Sequence, residues 1–343
     1  MEITTSPAPA LDIAGYHRRA ARAGVVGRWS SANENLPWRP EPQSAPQHWA
    51  YPELRALALE ATGFVRGEKG ALRVLTLLNA GHPELEAAAG HLYSGLQALV
   101  PGEDMHSHRH SPTALRFVHE SEGGWTAVDG ERMPVGPGDV VLTPAMKWHE
   151  HGNDGPEPVI WQDCTDDPLV TALAASHFEL FPERSHLGPP DVEDPAPVLP
   201  SVTGHEAGVL VYRWQDTLVA LAEPSASGGG WTELRLGGPD GAADLSPTVA
   251  GRFLAVAPGQ STPARRHTGA AVLIVATGTV TVFVGETAFQ AGRGDTVAVP
   301  SWARWSIENV SAKGEQAVVF AYDESPLMRG AGLYRAEHEE ATR

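Results

Sequence analysis

From Ala71 the chain is written in short apolar runs: LRVLTLLN (72–79), HLYSGLQALV (91–100), TALRFVHE (113–120), WTAVDGERMPV (125–135) and DVVLTP (139–144). Gly, Pro, Asn or Asp separates them, which is the rhythm of strands joined by turns. Asp129-Gly130 falls between two runs and predicts a hairpin turn. A Pro-rich acidic stretch at 183–204 predicts a linker. Beyond it the rhythm resumes in GRFLAVAP, AAVLIVAT, TVTVFVG, DTVAVP, WSIENV and QAVVFAY. Ahead of the strands, Tyr51–Gly63 has helical spacing, with Leu54, Leu57, Leu59 and Ala61 apolar and a glycine placed to stop the helix. Residues 1 to about 50, rich in Pro, Arg, Trp and Ala, predict an arm with short helices. The whole pattern predicts an all-β architecture of barrel or sandwich type.

The two halves repeat. Gly102 and His108-Arg109-His110 have counterparts in Gly259 and Arg265-Arg266-His267, at an offset of 157. Gly138, Pro144, His149 and Asn153 match Gly294, Pro300, Trp305 and Asn309, at an offset of 156. The expectation is two copies of one β unit. The organisation is then an arm at 1–70, a first barrel at 71–182, a linker at 183–204 and a second barrel at 205–343.

Charge narrows the partners. With 25 basic and 42 acidic side chains the formal charge is −17, which opposes binding to nucleic acid or an anionic membrane. One cysteine, Cys164, excludes an internal disulfide framework and a thiolate zinc cluster. The N-terminus has no apolar secretory core, and no run reaches about 18 apolar residues. A cytoplasmic protein is expected.

Seven of the 15 histidines fall between His91 and His151. His108 and His110 are two apart on a predicted strand, so both point to one face, and His149 and His151 share that spacing. Neutral imidazoles converging from two strands can hold a divalent transition metal. In the second half the equivalents are Arg265, His267 and Trp305. A guanidinium has no lone pair to donate and an indole offers only N–H, so no metal is expected there.

The set Gly102, His108, His110, Gly138, Pro144, His149 and Asn153 resembles the two-part motif of the cupin superfamily. Ala114 and Leu115 stand where many cupins carry a glutamate ligand, which leaves three histidines. Met146 stands where the motif usually has glycine. GLQALVPGE (95–103), HRHSPTALRFVHESEGGWTAVDGERMPVGPGD (108–139) and PAMKWHEHGNDGPEPVIWQD (144–163) resemble gentisate 1,2-dioxygenases and their salicylate and 1-hydroxy-2-naphthoate relatives. The likeness runs from about His48-Trp49 to SPLMRGAGLYRAE at 325–337. It implies an all-β bicupin, two jelly-roll barrels with an N-terminal arm, forming a homo-oligomer, tetramer or dimer. It implies non-haem Fe(II) on His108, His110 and His149. It places Arg116 and His151 as catalytic residues and Gln97, Asp163, Tyr93 and Arg73 as substrate contacts. Three neutral ligands leave positions open for a 2-hydroxybenzoate and for dioxygen. The implied reaction opens the ring between the carboxyl- and hydroxyl-bearing carbons. Gentisate is the leading substrate, with salicylate, amino- or nitrosalicylate and 1-hydroxy-2-naphthoate as alternatives. A non-oxidative isomerase or a small-molecule-binding bicupin is the reading from another class, since fold does not fix function.

Overall fold

The computed structural model describes residues 12–30, 37–65, 73–187, 211–222, 229–238 and 241–338. Most of the expected linker at 183–204 lies outside the described residues. The chain divides into a short unit, Met1–Glu41, and a main body, Pro42–Arg343. In the short unit the helix Ile13–Arg22 starts at Asp12, whose carboxylate accepts the Gly15 N–H at 2.8 Å.

The main body holds two β units, each a six-stranded and a five-stranded antiparallel sheet. In the first unit the larger sheet runs Val211–Tyr212, Val140–Thr143, Ala114–Glu120, Val159–Thr165, Tyr93–Leu99 and Val74–Thr76. The smaller runs Phe178–Leu180, His108–His110, His149–Asn153, Gly124–Val128 and Glu131–Pro134. The second unit repeats this with Gln47–Trp49, Thr296–Val299, Ala271–Thr277, Ala317–Asp323, Ala250–Val256 and Trp231–Leu236 in the larger sheet. Its smaller sheet is Thr287–Ala291, Val280–Val284, Trp305–Asn309, Arg265–His267 and Ala336–His338. The hairpin predicted at Asp129-Gly130 is present, with φ of 48° and 91° at the two positions and Val128 opposite Glu131.

The unbroken apolar runs are explained by burial on both faces. In Ala271–Thr277, Val272 and Ile274 pack into a core shared with Leu115 and Phe117 of the first unit. The alternate residues Leu273 and Val275 fill the interior of their own unit. A strand buried on both sides has no polar alternation to show. The two larger sheets therefore meet back to back, with the Phe117 and Phe320 rings 5.7 Å apart. Gln162 donates across the junction to Thr296 at 3.1 Å.

Two pairings cross the boundaries read from the sequence. Gln47–Trp49, from the arm, pairs with Thr296–Val299 of the second unit, and Val211–Tyr212 pairs with Val140–Thr143 of the first. A helix follows each crossing strand, Tyr51–Ala61 and Trp214–Ala222. The docking is the same on both sides. Asp295 accepts the Tyr51 N–H at 2.8 Å and pairs with His48, while Asp139 accepts the Trp214 N–H at 2.8 Å and pairs with Arg213. Gly294 and Gly138 precede these aspartates with φ of 87° and 89°. A Cβ there would sit 2.4 Å from the Tyr51 ring and 2.5 Å from the Trp214 ring. Strands of two or three residues carry no readable pattern, so the exchange was not legible.

Other details differ from expectation. The helix ends at Ala61 with Thr62 right-handed, and Gly63 is not among the positive-φ residues, so no left-handed glycine stops it. Ala58 and Ala61 are its buried residues, whereas Leu57 is exposed. Met146 and its counterpart Trp302 sit at φ 61° and 62°, and their N–H groups donate to His110 O and His267 O at 2.8 Å. That left-handed turn is the reason a glycine suits the position; a side chain there costs roughly 1 kcal/mol.

Phe320→Ala removes a fully buried ring from the junction. It should lower the unfolding free energy by about 3–5 kcal/mol in urea titration. Val219→Ala, at an exposed position, should change it by less than about 0.5 kcal/mol. Equal losses would refute the shared core as a major source of stability.

Candidate metal centre

Strand register builds the site. His108 lies directly opposite His149, and Thr126 opposite His151. With the two-residue spacing, His108, His110, His149, His151 and Thr126 share one face of the smaller sheet. On the larger sheet, Arg116 is opposite Asp163, Asp163 opposite Gly95, Trp161 opposite Gln97 and Thr165 opposite Tyr93. Arg116, Asp163, Gln97 and Tyr93 therefore also share a face. The two faces meet inside the first unit.

His108, His110 and His149 each offer one nitrogen, and these three atoms lie within 4.8 Å of one another. Their orientation is fixed from behind. The Nδ1 of His108 is 2.8 Å from His106 O, that of His110 2.9 Å from Pro112 O, and that of His149 2.8 Å from Lys147 O. A carbonyl can only accept, so each Nδ1 carries the proton and each Nε2 keeps its lone pair. Burial holds all three neutral: His108 is held down to about 4, His110 is lowered, and His149 is well below the ordinary range. The neighbouring imidazoles and Arg116 add to this in His108 and His149. Three converged, neutral nitrogens suit a divalent transition metal. The residues present fit such an ion.

Beside the triad is a buried polar chain. Arg116 Nε donates to Asp163 Oδ1 at 2.8 Å, and its Nη1 lies 2.8 Å from both ring nitrogens of His151. Thr126 Oγ1 is 2.7 Å from His151 Nδ1. The guanidinium lies over the Trp161 ring, 4.6 Å from its centroid, and Trp161 donates to Gln97 Oε1 at 2.9 Å. Complete burial and the Arg116 charge keep His151 well below its ordinary pKa. The guanidinium can only donate, so His151 faces it as a neutral acceptor.

Tyr93 joins this face. Its hydroxyl is 3.1 Å from Thr76 Oγ1, and burial pushes its pKa up to about 12. A Cβ at Gly95 would lie 2.4 Å from that hydroxyl, so the glycine makes room for the phenol. Arg73 is a correction. Both of its Nη atoms are committed, to Glu103 at 3.0 and 2.5 Å, to Val65 O and to Ala98 O. It ties strand to turn and does not join the histidines. Arg109, on the opposite face, pairs with Glu179 and stacks on Trp148.

Sequence reasoning missed Thr126, Trp161 and Phe178, whose ring stacks on His108 at 5.4 Å. Each reaches the site through a cross-strand pairing rather than a motif. Asn153 of the motif is structural: its Nδ2 donates to Leu99 O and Glu157 O, as Asn309 does to Val256 O and Glu315 O.

The cupin domain family model matches residues 95–165 and 252–322. A gentisate 1,2-dioxygenase from Ralstonia sp is 34% identical, covering 93% of this chain and 92% of its own length. A 5-aminosalicylate 1,2-dioxygenase from Comamonas sp is 31% identical, over 95% of this chain and 90% of its own. The solved salicylate 1,2-dioxygenase from Pseudoaminobacter salicylatoxidans, in its gentisate adduct, superposes with a TM-score of 0.86. It is 26% identical, and the match covers 98% of this chain and 97% of that one.

The depressed His108 pKa sets a pH dependence for the metal-free protein. Between pH 6.5 and about 4 the unfolded chain takes up a proton there that the folded chain refuses, so stability falls as pH falls. Urea titrations at pH 7 and pH 5 should show a drop of about 2 kcal/mol from this residue, absent in His108→Gln. An identical drop in the variant would refute the assignment.

Proposed function

We propose, from the premise that this chain belongs to the gentisate 1,2-dioxygenase family of cupin enzymes, that it opens the ring of a 2-hydroxybenzoate of the gentisate–salicylate class using O2. The observation that carries this reading is the converged, neutral trio His108, His110 and His149 with a buried arginine beside it. These three would hold Fe(II), which when bound supplies the one-electron chemistry that lets dioxygen react with an electron-rich ring.

The remaining residues bind and orient. Asp163 and His151 occupy Nε and Nη1 of Arg116, and neither contact uses Nη2. That edge is suited to the substrate carboxylate. Trp161 under the guanidinium fixes its plane. Gln97, turned by its bond from Trp161, and Tyr93, on the same face of the sheet, are suited to a ring hydroxyl and the ring face. His151, neutral and fully buried between Arg116 and Thr126, in this reading takes part by holding the guanidinium in place beside the substrate. Holding both reactants in one buried pocket supplies proximity, and both oxygen atoms end in the ring-opened product.

The second unit, with Arg265, His267 and Trp305 in place of the triad, holds no iron in this reading. The enzyme works in the cytoplasm as a homo-oligomer. Among the described residues no helix is long and apolar enough to cross a membrane.

After anaerobic loading with Fe(II), oxygen uptake is measured with gentisate, salicylate, 5-aminosalicylate and 1-hydroxy-2-naphthoate. At least one should consume one O2 per ring opened. His149→Ala should lose both iron and turnover. Arg116→Met should keep iron and lose roughly 30- to 1000-fold in kcat/KM. No uptake across the panel from an iron-loaded protein would favour a binding or isomerase role instead.

A further inference from the structure

The second unit has a cavity of about 220 Å³ beside two of the three residues that replace the first unit's histidines. Arg265 and His267, the counterparts of His108 and His110, line it, together with Arg235, Arg252, Arg329 and Tyr334. Replacing imidazole by guanidinium inverts the chemistry, because a lone pair that would hold a cation becomes a fixed positive charge with donors only.

The guanidinium of Arg265 is held rigidly. It lies between Trp231 and Trp305, at 5.2 and 5.0 Å from their centroids, and Nη1 donates to Glu233 Oε2 at 2.7 Å. Its Nη2 is buried with no acceptor among the described residues. An unmet buried charged donor is costly unless something else satisfies it.

The surrounding carboxylates are already shared. Glu233 also accepts from Arg235 Nε at 2.9 Å and lies 3.6 Å from Arg252 Nη1. Arg252 pairs with Asp323, and Arg329 donates to Asp244 at 2.7 Å. Four arginines around the cavity thus face three carboxylates, which leaves a positive excess. His267 points Nδ1 at Thr268 O, 2.9 Å away, so its other nitrogen is free of that bond. The remaining lining includes Leu236, Ala243 and Ala250. A volume below the roughly 300 Å³ of common ligand sites suits a compact molecule.

We propose that this cavity binds a small organic carboxylate, with its anionic end toward Arg265 and its neighbours and its apolar body against Leu236 and Ala250. The inference is independent of the reaction assigned to the first unit. Inorganic anions match the charge but leave the apolar wall uncovered, so they should bind more weakly.

The probe is 4-bromobenzoate, whose bromine is located by anomalous diffraction in crystals of the iron-loaded protein. A peak is expected in the second unit, against Arg265, in addition to any in the first. Calorimetric titration of Arg265→Gln should show binding in the second unit weakened at least about tenfold, the scale of one charge-assisted contact. Ring-cleavage kcat should stay within about twofold of the parent in that variant. Should Arg265→Gln fail to fold, Ala250→Leu fills the cavity from another wall and should abolish the second-unit peak. The proposal is overturned by no bromine in the second unit, by unchanged affinity in Arg265→Gln, or by displacement with an equal concentration of inorganic phosphate.

Discussion

The arrangement rests on burying both faces of the two larger sheets. Leu115, Phe117, Val272, Ile274 and Phe320 close the junction, while Leu273, Val275 and Val319 fill one interior from the other side of the same strands. A sheet covered on both faces cannot shift register by one residue without exchanging two packed sets. That rigidity matters for the site, because Arg116 lies on a strand whose next residue, Phe117, is anchored in the junction. The exchanged strands Gln47–Trp49 and Val211–Tyr212 extend the larger sheets. Each is followed by a helix tied to the aspartate of the other unit.

On this frame the two units carry different side-chain chemistry in one geometry. His108 opposite His149 in the first unit corresponds to Arg265 opposite Trp305 in the second. Both units keep the left-handed turn at Met146 or Trp302 and the asparagine that bonds two carbonyls. What differs is the residue at the position of His108: an imidazole with a lone pair in one, a guanidinium between indoles in the other.

The first site also shows how burial divides labour among similar side chains. His108, His110 and His149 each spend Nδ1 on a backbone carbonyl and leave Nε2 for a ligand. His151, two residues from His149, meets Arg116 and Thr126 instead. Arg73 and Arg116 are both buried arginines, yet Glu103 and two carbonyls absorb the first, while the second keeps an edge unused by its two partners.

The strands, the Asp129-Gly130 hairpin, the two-fold repeat and the histidine trio were legible in the sequence. Each depends on local spacing: alternation along a strand, backbone preference at a turn, or two residues between side chains on one face. The Met146 turn was visible as a departure and took its meaning only from its backbone angles. Thr126, Trp161, the commitment of Arg73 and the strand exchange were decided by tertiary structure alone. They rest on cross-strand register and on pairings between residues far apart in the chain, and no local pattern records which distant acceptor a buried donor will find.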